Sequence, residues 1–170
     1  MDLKKYIIDI PDFPQQGIIF KDITPLLNNT TAFKTVIDEM VAYAHEVGAT
    51  VILAPEARGF LFGPAVSYAA NLRFIPVRKP HKLPRATVKA EYALEYGTNT
   101  LEIHAGDLQP NDKVLIIDDV LATGGTAKAI CELVADQQAE VVGMMFLIKL
   151  TFLNGSDQLK DYPHRAIIEY

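Results

Sequence analysis

The sequence predicts an α/β fold, with a central, mostly parallel sheet flanked by helices on both faces. Short apolar runs without polar alternation, VILA at Val51–Ala54 and VLII at Val114–Ile117, are what parallel strands covered on both sides require. Segments with apolar residues at helical spacing lie between such runs, so strand and helix signals alternate along the chain. The run at Val114 then passes through two adjacent acids into a Gly-rich turn that opens a helix, the order found at ligand sites of open α/β sheets.

Taken in order, Thr31 to Val47 is predicted as a helix, because Val36, Ile37, Met40, Val41 and Ala44 repeat at helical spacing and Gly48 provides a stop. The strand Val51–Ala54 follows, then a helix over Leu61–Asn71 and a strand over Arg73–Val77. Thr87–Tyr92 and Thr100–His104 form a two-stranded excursion around a turn at Gly97. The central strand Val114–Ile117 leads to a helix through Ala127–Ala135, a long core strand at Val141–Leu150 and a short strand at Arg165–Glu169. No repeat, linker or low-complexity tract interrupts this pattern, and 170 residues suffice for one sizeable core, so residues 1–170 are expected to form a single domain.

Composition excludes several classes of function. A hydrophobic share of 49% argues against disorder, and a net charge of −5 argues against a nucleic-acid surface, which needs clustered Lys and Arg. The opening MDLKKYIIDIPDFP is interrupted by Asp9 and Pro11, too short an apolar run for a signal peptide or membrane span, so no membrane partner is expected. Cys131 is the sole cysteine, which rules out an internal disulfide, and its setting among Ala127, Ile130 and Val134 marks it as core. His45, His104 and His164 are scattered without metal-ligand spacing, so no protein-held metal is expected.

Chemistry concentrates at Asp118–Thr126. Neither Asp118 nor Asp119 can stay charged in a core without partners, so both are expected where the strand leaves the interior, at the carboxyl edge of the sheet. Gly124 and Gly125 let the backbone approach a ligand closely, and Thr123 and Thr126 add hydroxyls at a helix start whose free amides suit a phosphate. The spacing matches neither GxxxxGK[ST] nor GxGxxG. A phosphate cradle preceded by two hydroxyl-accepting acids fits a ribose 5-phosphate. The plainer alternative is a strand-turn-helix connection in which Asp119 or Thr123 caps the helix.

The stretch Val114–Thr126, VLIIDDVLATGGT, resembles the phosphoribosyl diphosphate motif of the type I phosphoribosyltransferases. PDFPQQGIIFKDITPLL at Pro11–Leu27, PEARGFLFGP at Pro55–Pro64, VRKPHKLP at Val77–Pro84 and YALEYGTNTLEIH at Tyr92–His104 resemble segments of the adenine phosphoribosyltransferase family, in the same order and at compatible spacing. The resemblance covers nearly the whole chain. It implies the type I phosphoribosyltransferase fold, with a small base-binding hood made from the two ends of the chain and a two-stranded flexible lid. It also implies transfer of phosphoribosyl from phosphoribosyl diphosphate to adenine, giving AMP and diphosphate in purine salvage, in a cytoplasmic homodimer. The implied cofactor is Mg2+, held mainly by the donor's diphosphate and ribose hydroxyls with water.

The resemblance also implies residue roles. The donor would be held by Asp118, Asp119 and the turn Ala122, Thr123, Gly124, Gly125 and Thr126, with Arg58, Arg78, Lys79 and Lys82 neutralising the leaving diphosphate. Arg78 to Arg85 can equally be read as a solvated basic face, and for Arg85 the two readings balance. Glu95, within the LEYG of the lid, would handle the imidazole proton of the base, and Tyr96 would seat against sugar or leaving group. Without the resemblance Glu95 is an exposed loop acid. A closed lid would exclude water from a sugar cation vulnerable to hydrolysis. Phe20 and Leu150 would sandwich the adenine while the backbone of Ile19 and Lys21 reads its amino edge; Ile18, Ile19 and Phe20 also suit a plain hydrophobic cover.

Four positions depart from the family pattern. Lys149 stands where relatives often carry glutamate, Ser156 where they often carry arginine, His81 where glycine is frequent in the basic loop, and Lys21 where many have arginine. The first two would remove both ends of a salt bridge together. Two other functions fit part of the pattern: transfer to guanine, hypoxanthine or xanthine, and a regulatory module that senses phosphoribosyl diphosphate. The latter ordinarily needs a basic surface or an added nucleic-acid domain.

Overall fold

In the computed structural model, which describes residues 1–93 and 97–170, a 3₁₀ turn at Leu3–Tyr6 leads into an antiparallel hairpin of β1 (Ile8–Pro11) and β2 (Ile19–Asp22). Helices α1 (Thr24–Leu27) and α2 (Thr30–Glu46) follow, then β3 (Val51–Pro55), a 3₁₀ turn at Arg58–Leu61, α3 (Gly63–Ala70) and β4 (Arg73–Val77). A second hairpin is made by β5 (Thr87–Ala93) and β6 (Thr98–His104). The chain continues through β7 (Lys113–Leu121), α4 (Gly125–Asp136), β8 (Glu140–Lys149), two 3₁₀ turns and β9 (His164–Glu169). The main sheet has the order β4-β3-β7-β8-β9, with all its pairings parallel.

The period of two along these strands divides the core. Val51, Leu53, Val114, Ile116, Met144 and Phe146 face α4, while Ile52, Leu115, Ile117, Met145 and Leu147 face α2 and α3. Both faces are therefore covered, which explains the unbroken apolar runs. Asn29 starts α2 by accepting the Ala32 N–H at 2.9 Å, so the helix begins one residue before the sequence pattern predicts. Cys131 is buried on α4 with its sulfur 3.9 Å from that of Met144, and burial pushes its thiol up to about 12, in keeping with a core role.

Two expectations need correction, and one element was not expected. The predicted helix over Leu61–Asn71 starts only at Gly63, because Arg58–Leu61 turn as a 3₁₀ helix ahead of Pro64, and it ends at Asn71 in the left-handed region. The central strand does not end at Ile117: it runs through Asp118 and Asp119 to Leu121, paired with β8 as far as Lys149. The hairpin of β1 and β2 was not foreseen, since its strands are short and mostly exposed and carry no clear apolar alternation.

The second hairpin is anchored to the body of the molecule. Arg78 and Glu102 exchange two main-chain hydrogen bonds, at 2.9 and 2.7 Å, joining the end of β4 to β6. Ala90, Leu101 and Ile103 enter the same apolar cluster as α4. Glu95 and Tyr96 lie outside the described residues.

Candidate functional site

The acids sit where β7 outruns one of its neighbours. β3 pairs with β7 only as far as Leu53 opposite Ile116, whereas β8 continues alongside to the end of β7. Beyond Pro55 the chain instead folds across the end of β7 in the Arg58 turn, bringing Arg58 Nε to 2.7 Å from Asp119 Oδ2. Asp119 is 5% exposed, and this oxygen has the cation beside it but no hydrogen bond of good geometry. The neighbouring Asp118 accepts the Asp119 N–H at 2.8 Å. Gly59 makes the crossing possible, since a Cβ there would meet Pro55 Cδ at 2.9 Å and Asp118 Oδ1 at 3.1 Å.

Burial and the charge of Asp119 raise the Asp118 carboxyl well above its ordinary value. Burial also raises Asp119, against the pull of Arg58. The acids thus remain inside the strand beside one cation and with burial favouring their protonated forms, a solution that an argument from isolated charges does not anticipate. The pair offers protonatable oxygens to a hydroxylated ligand at the end of the sheet.

Immediately after β7 the chain makes the Gly-rich turn. Gly124 occupies the N-cap of α4 in the left-handed region, with φ of 85°, and supplies no side-chain oxygen to the first helical amides. Those amides therefore remain available to an anion, whereas a capping Asp119 or Thr123 would have used one. Asp118, residues 120–127 and Phe146 enclose a cavity of about 80 Å³. That is below the ~300 Å³ of a typical whole-ligand site and suits a single group such as a phosphate. Thr126 Oγ1 lies 3.3 Å from the hydroxyl of Tyr92 on β5, so the second hairpin reaches the mouth of this turn.

The floor of the turn comes from a residue the sequence pattern does not single out. A Cβ at Gly124 would lie 2.5 Å from the Gly155 carbonyl oxygen, and one at Gly155 would lie 2.2 Å from the Ala122 carbonyl oxygen. Two bare backbones thus pack directly together, and only a glycine with nothing helical or strand-like around it, in LNGSDQL, hints at this.

The basic residues are divided among separate tasks. Arg78 Nη2 donates to Glu56 Oε2 at 3.1 Å and Nη1 to the Lys82 carbonyl at 3.3 Å, which ties the basic loop back to the end of β3. Burial would raise the Glu56 carboxyl, but the Lys79 N–H, the Arg78 guanidinium and the charge of Lys79 outweigh it and hold Glu56 low. The side chains of Lys79 and Lys82 are exposed, and His81 between them adopts the left-handed region at φ of 65°. Arg85 is engaged elsewhere, with Asp107 at 2.9 Å and His104 Nδ1 at 3.0 Å.

At the other end of the site, Phe20 on β2 packs edge-on to Phe13, with centroids 5.1 Å apart, and its face meets the Arg58 guanidinium at 4.8 Å. Ile19 is exposed beside it, and Lys21 pairs with Asp9 at 2.6 Å. Leu150 follows β8 and donates its N–H to the Leu121 carbonyl at 3.0 Å, placing it next to the end of β7. Each of the two departures discussed above has found another partner. Lys149 Nζ lies 3.3 Å from Glu169, and Ser156 Oγ lies 3.0 Å from His164 Nε2.

The phosphoribosyl transferase domain family matches residues 26–166. The adenine phosphoribosyltransferase of Mycoplasma mycoides subsp. mycoides is 58% identical over 170 residues, covering all of both chains. Among solved structures, the adenine phosphoribosyltransferase of Thermoanaerobacter pseudethanolicus superposes with a TM-score of 0.96 at 45% identity, covering 99% of this chain and 98% of that one. The Saccharomyces cerevisiae enzyme, solved with adenine and an imino-altritol bisphosphate, superposes with a TM-score of 0.92 at 37% identity, covering 97% and 96%.

Proposed function

The chain belongs to the phosphoribosyl transferase family and, within it, to the adenine phosphoribosyltransferases, and from that premise we propose a role for each part of its site. The reaction is that of adenine with 5-phosphoribosyl 1-diphosphate to give AMP and diphosphate, a step of purine salvage. The observation that carries the assignment of roles is the union, at the end of β7, of a raised-pKa acid pair with an uncapped Gly-rich helix start.

In this reading the donor's 5-phosphate lies on the amides of Ala122–Thr126, and Asp118 and Asp119 accept its ribose hydroxyls. Adenine N9 then forms a bond to C1 of the ribose as the bond from C1 to the diphosphate oxygen breaks, and the proton on the imidazole leaves. The diphosphate departs toward cationic groups, with Arg58, Lys79 and Lys82 near it and Arg78 ordering the loop that bears the lysines. Glu95 takes the imidazole proton, and Tyr96 seats against sugar or leaving group, both from the segment joining β5 to β6. Phe20 and Leu150 flank the base, and the main chain of Ile19 and Lys21 reads its amino edge. The hairpin acts as a lid that excludes water from the developing sugar cation.

Mg2+ fits this site as a companion of the donor. Among the described residues no group of three or more His, Cys, Asp and Glu side chains gathers into a cage, and the ion would be held mainly by the donor's diphosphate and ribose hydroxyls with water. When bound it would neutralise diphosphate charge. The protein works as a single-domain cytoplasmic homodimer. Leu61 and Tyr68, on the segment from Arg58 to Ala70, are large apolar side chains left exposed and available to a second copy. No described helix is long and apolar enough to cross a membrane. Magnesium-dependent formation of AMP from adenine, with light scattering on the same sample, tests the activity and the assembly together.

A further inference from the structure

Tyr170 contacts the residues adjoining both walls of the proposed base pocket, Lys21 beside Phe20 and Lys149 and Thr151 beside Leu150. Its N–H donates to the Lys149 carbonyl at 3.0 Å, and its main-chain oxygen accepts from the Thr151 N–H at 2.9 Å and the Thr151 hydroxyl at 2.6 Å. The residues on either side of Leu150 are thus fastened to one partner, and the Lys149–Glu169 ion pair adds a side-chain tie one residue away. The ring of Tyr170 meanwhile lies beneath Lys21, whose Nζ stands 3.9 Å from the ring centroid and 2.6 Å from Asp9 Oδ1. Lys4 adds a second cation 4.9 Å from the same ring.

The Lys21 side chain is only 10% exposed, so its contact with the aromatic face is largely desolvated and stronger than one on open surface. Successive side chains of a strand point to opposite faces, so holding Lys21 on Tyr170 turns Phe20 the other way, where it meets Arg58. One residue therefore fixes Leu150 through its main chain and orients Phe20 through its ring.

We propose that Tyr170 is a positioning residue for the acceptor base, setting the gap between Phe20 and Leu150; this rests on the reading of those two residues as the walls of the base pocket. Without the ring β2 is free to shift relative to Leu150, which weakens adenine binding and leaves the donor's cradle, at the end of β7, as it is.

Steady-state kinetics on the full chain, with adenine and donor varied separately, test this through Tyr170→Leu, Tyr170→Phe and Lys21→Met. Tyr170→Leu should raise KM for adenine about tenfold, the equivalent of ~1.4 kcal/mol, with kcat and the donor KM unchanged. Tyr170→Phe keeps the ring and the main-chain bonds and should restore the adenine KM. An unchanged adenine KM in Tyr170→Leu, or parallel rises in both KM values, overturns the proposal. Should Tyr170→Leu fail to fold, Lys21→Met decides: a raised adenine KM alone supports the proposal, and an unchanged one overturns it. Phe20→Ala separates the two levels of inference. If it leaves the adenine KM unchanged, the pocket reading itself falls and the proposal with it; if it raises that KM while Tyr170→Leu does not, only the role of Tyr170 is lost.

Discussion

Arg58 and Asp119 form an ion pair, Nε to Oδ2 at 2.7 Å, that locks the turn after β3 onto the end of β7. Of the two adjacent acids, Asp119 has this cation directly beside it, while Asp118 is raised chiefly by burial and by its neighbour's charge. The two carboxyls thus differ in their readiness to ionise although they share one site.

Asp118→Asn and Asp119→Asn should each weaken use of the donor more than binding of free adenine, because an amide accepts hydroxyl hydrogen bonds at one atom only and carries no charge. Titration of each variant with both ligands checks this. Collapsed adenine affinity beside normal donor affinity would contradict the assignment.

The same acids should lower stability as pH rises. A carboxyl raised above its ordinary value of 3.8 holds its proton more tightly in the folded than in the unfolded chain, so the stability it allows is full below that value and is lost as pH climbs through the raised one. Asp118→Asn removes this loss. Its melting temperature relative to the parent should therefore increase as pH rises above the ordinary carboxyl range, which thermal melts of the two proteins in parallel will show. Comparing variant with parent cancels the opposite contribution of Glu56, whose carboxyl is held low.

Gly155→Ala should damage the donor site from behind. Its Cβ would fall 2.2 Å from the Ala122 carbonyl oxygen, a main-chain atom that cannot swing aside, so the turn must shift. The expected result is a loss of about 1–3 kcal/mol of stability together with a raised donor KM, read by denaturant melts and kinetics. A variant with parental stability and donor KM would show that the two backbones separate without cost.

Glu95 is expected to act in the chemical step. Glu95→Leu should lower kcat by about 100-fold with donor binding intact, the range for loss of a positioned proton-transfer group. Glu95→Gln is the sharper variant, because an amide fills the same space without exchanging a proton. Near-normal single-turnover rates in Gln but not in Leu would reduce Glu95 to positioning the base.

Base selectivity follows from main-chain readout of an amino edge. Hypoxanthine or guanine should be used at least ~100-fold less efficiently than adenine, since a 6-oxo group leaves polar groups of the pocket unpaired. Comparable kcat/KM for adenine and hypoxanthine would point to a 6-oxopurine enzyme.

The sheet is legible in the sequence because its strands are covered twice. Val51–Ala54 and Val114–Ile117 needed only hydrophobicity to be found, and the helix from Gly125 begins at the turn its glycines mark. The extension of β7 through Asp118 to Leu121 was hidden, because its acids are stabilised by Arg58, a residue far away in sequence. The hairpin of β1 and β2 escaped for a different reason: its strands are mostly exposed, and its order comes from partners such as Asp9 for Lys21. The residues assigned to the candidate site lie in motifs that a resemblance can mark, whereas Gly155 and Tyr170 lie in none, since their parts depend on what their backbones meet in space.

The contact of Gly124 with Gly155 also sets an order of events during synthesis. β7 must pair with β8, which is made after it, and the underside of the phosphate turn is closed by a segment made later still. Pairings between parallel strands join parts of the chain that are distant in sequence and form slowly. A nascent chain that has emerged only as far as α4 therefore has the whole Asp118–Thr126 sequence but not its support. The turn therefore gains the backbone that closes its underside only after residue 155 has been made and has docked.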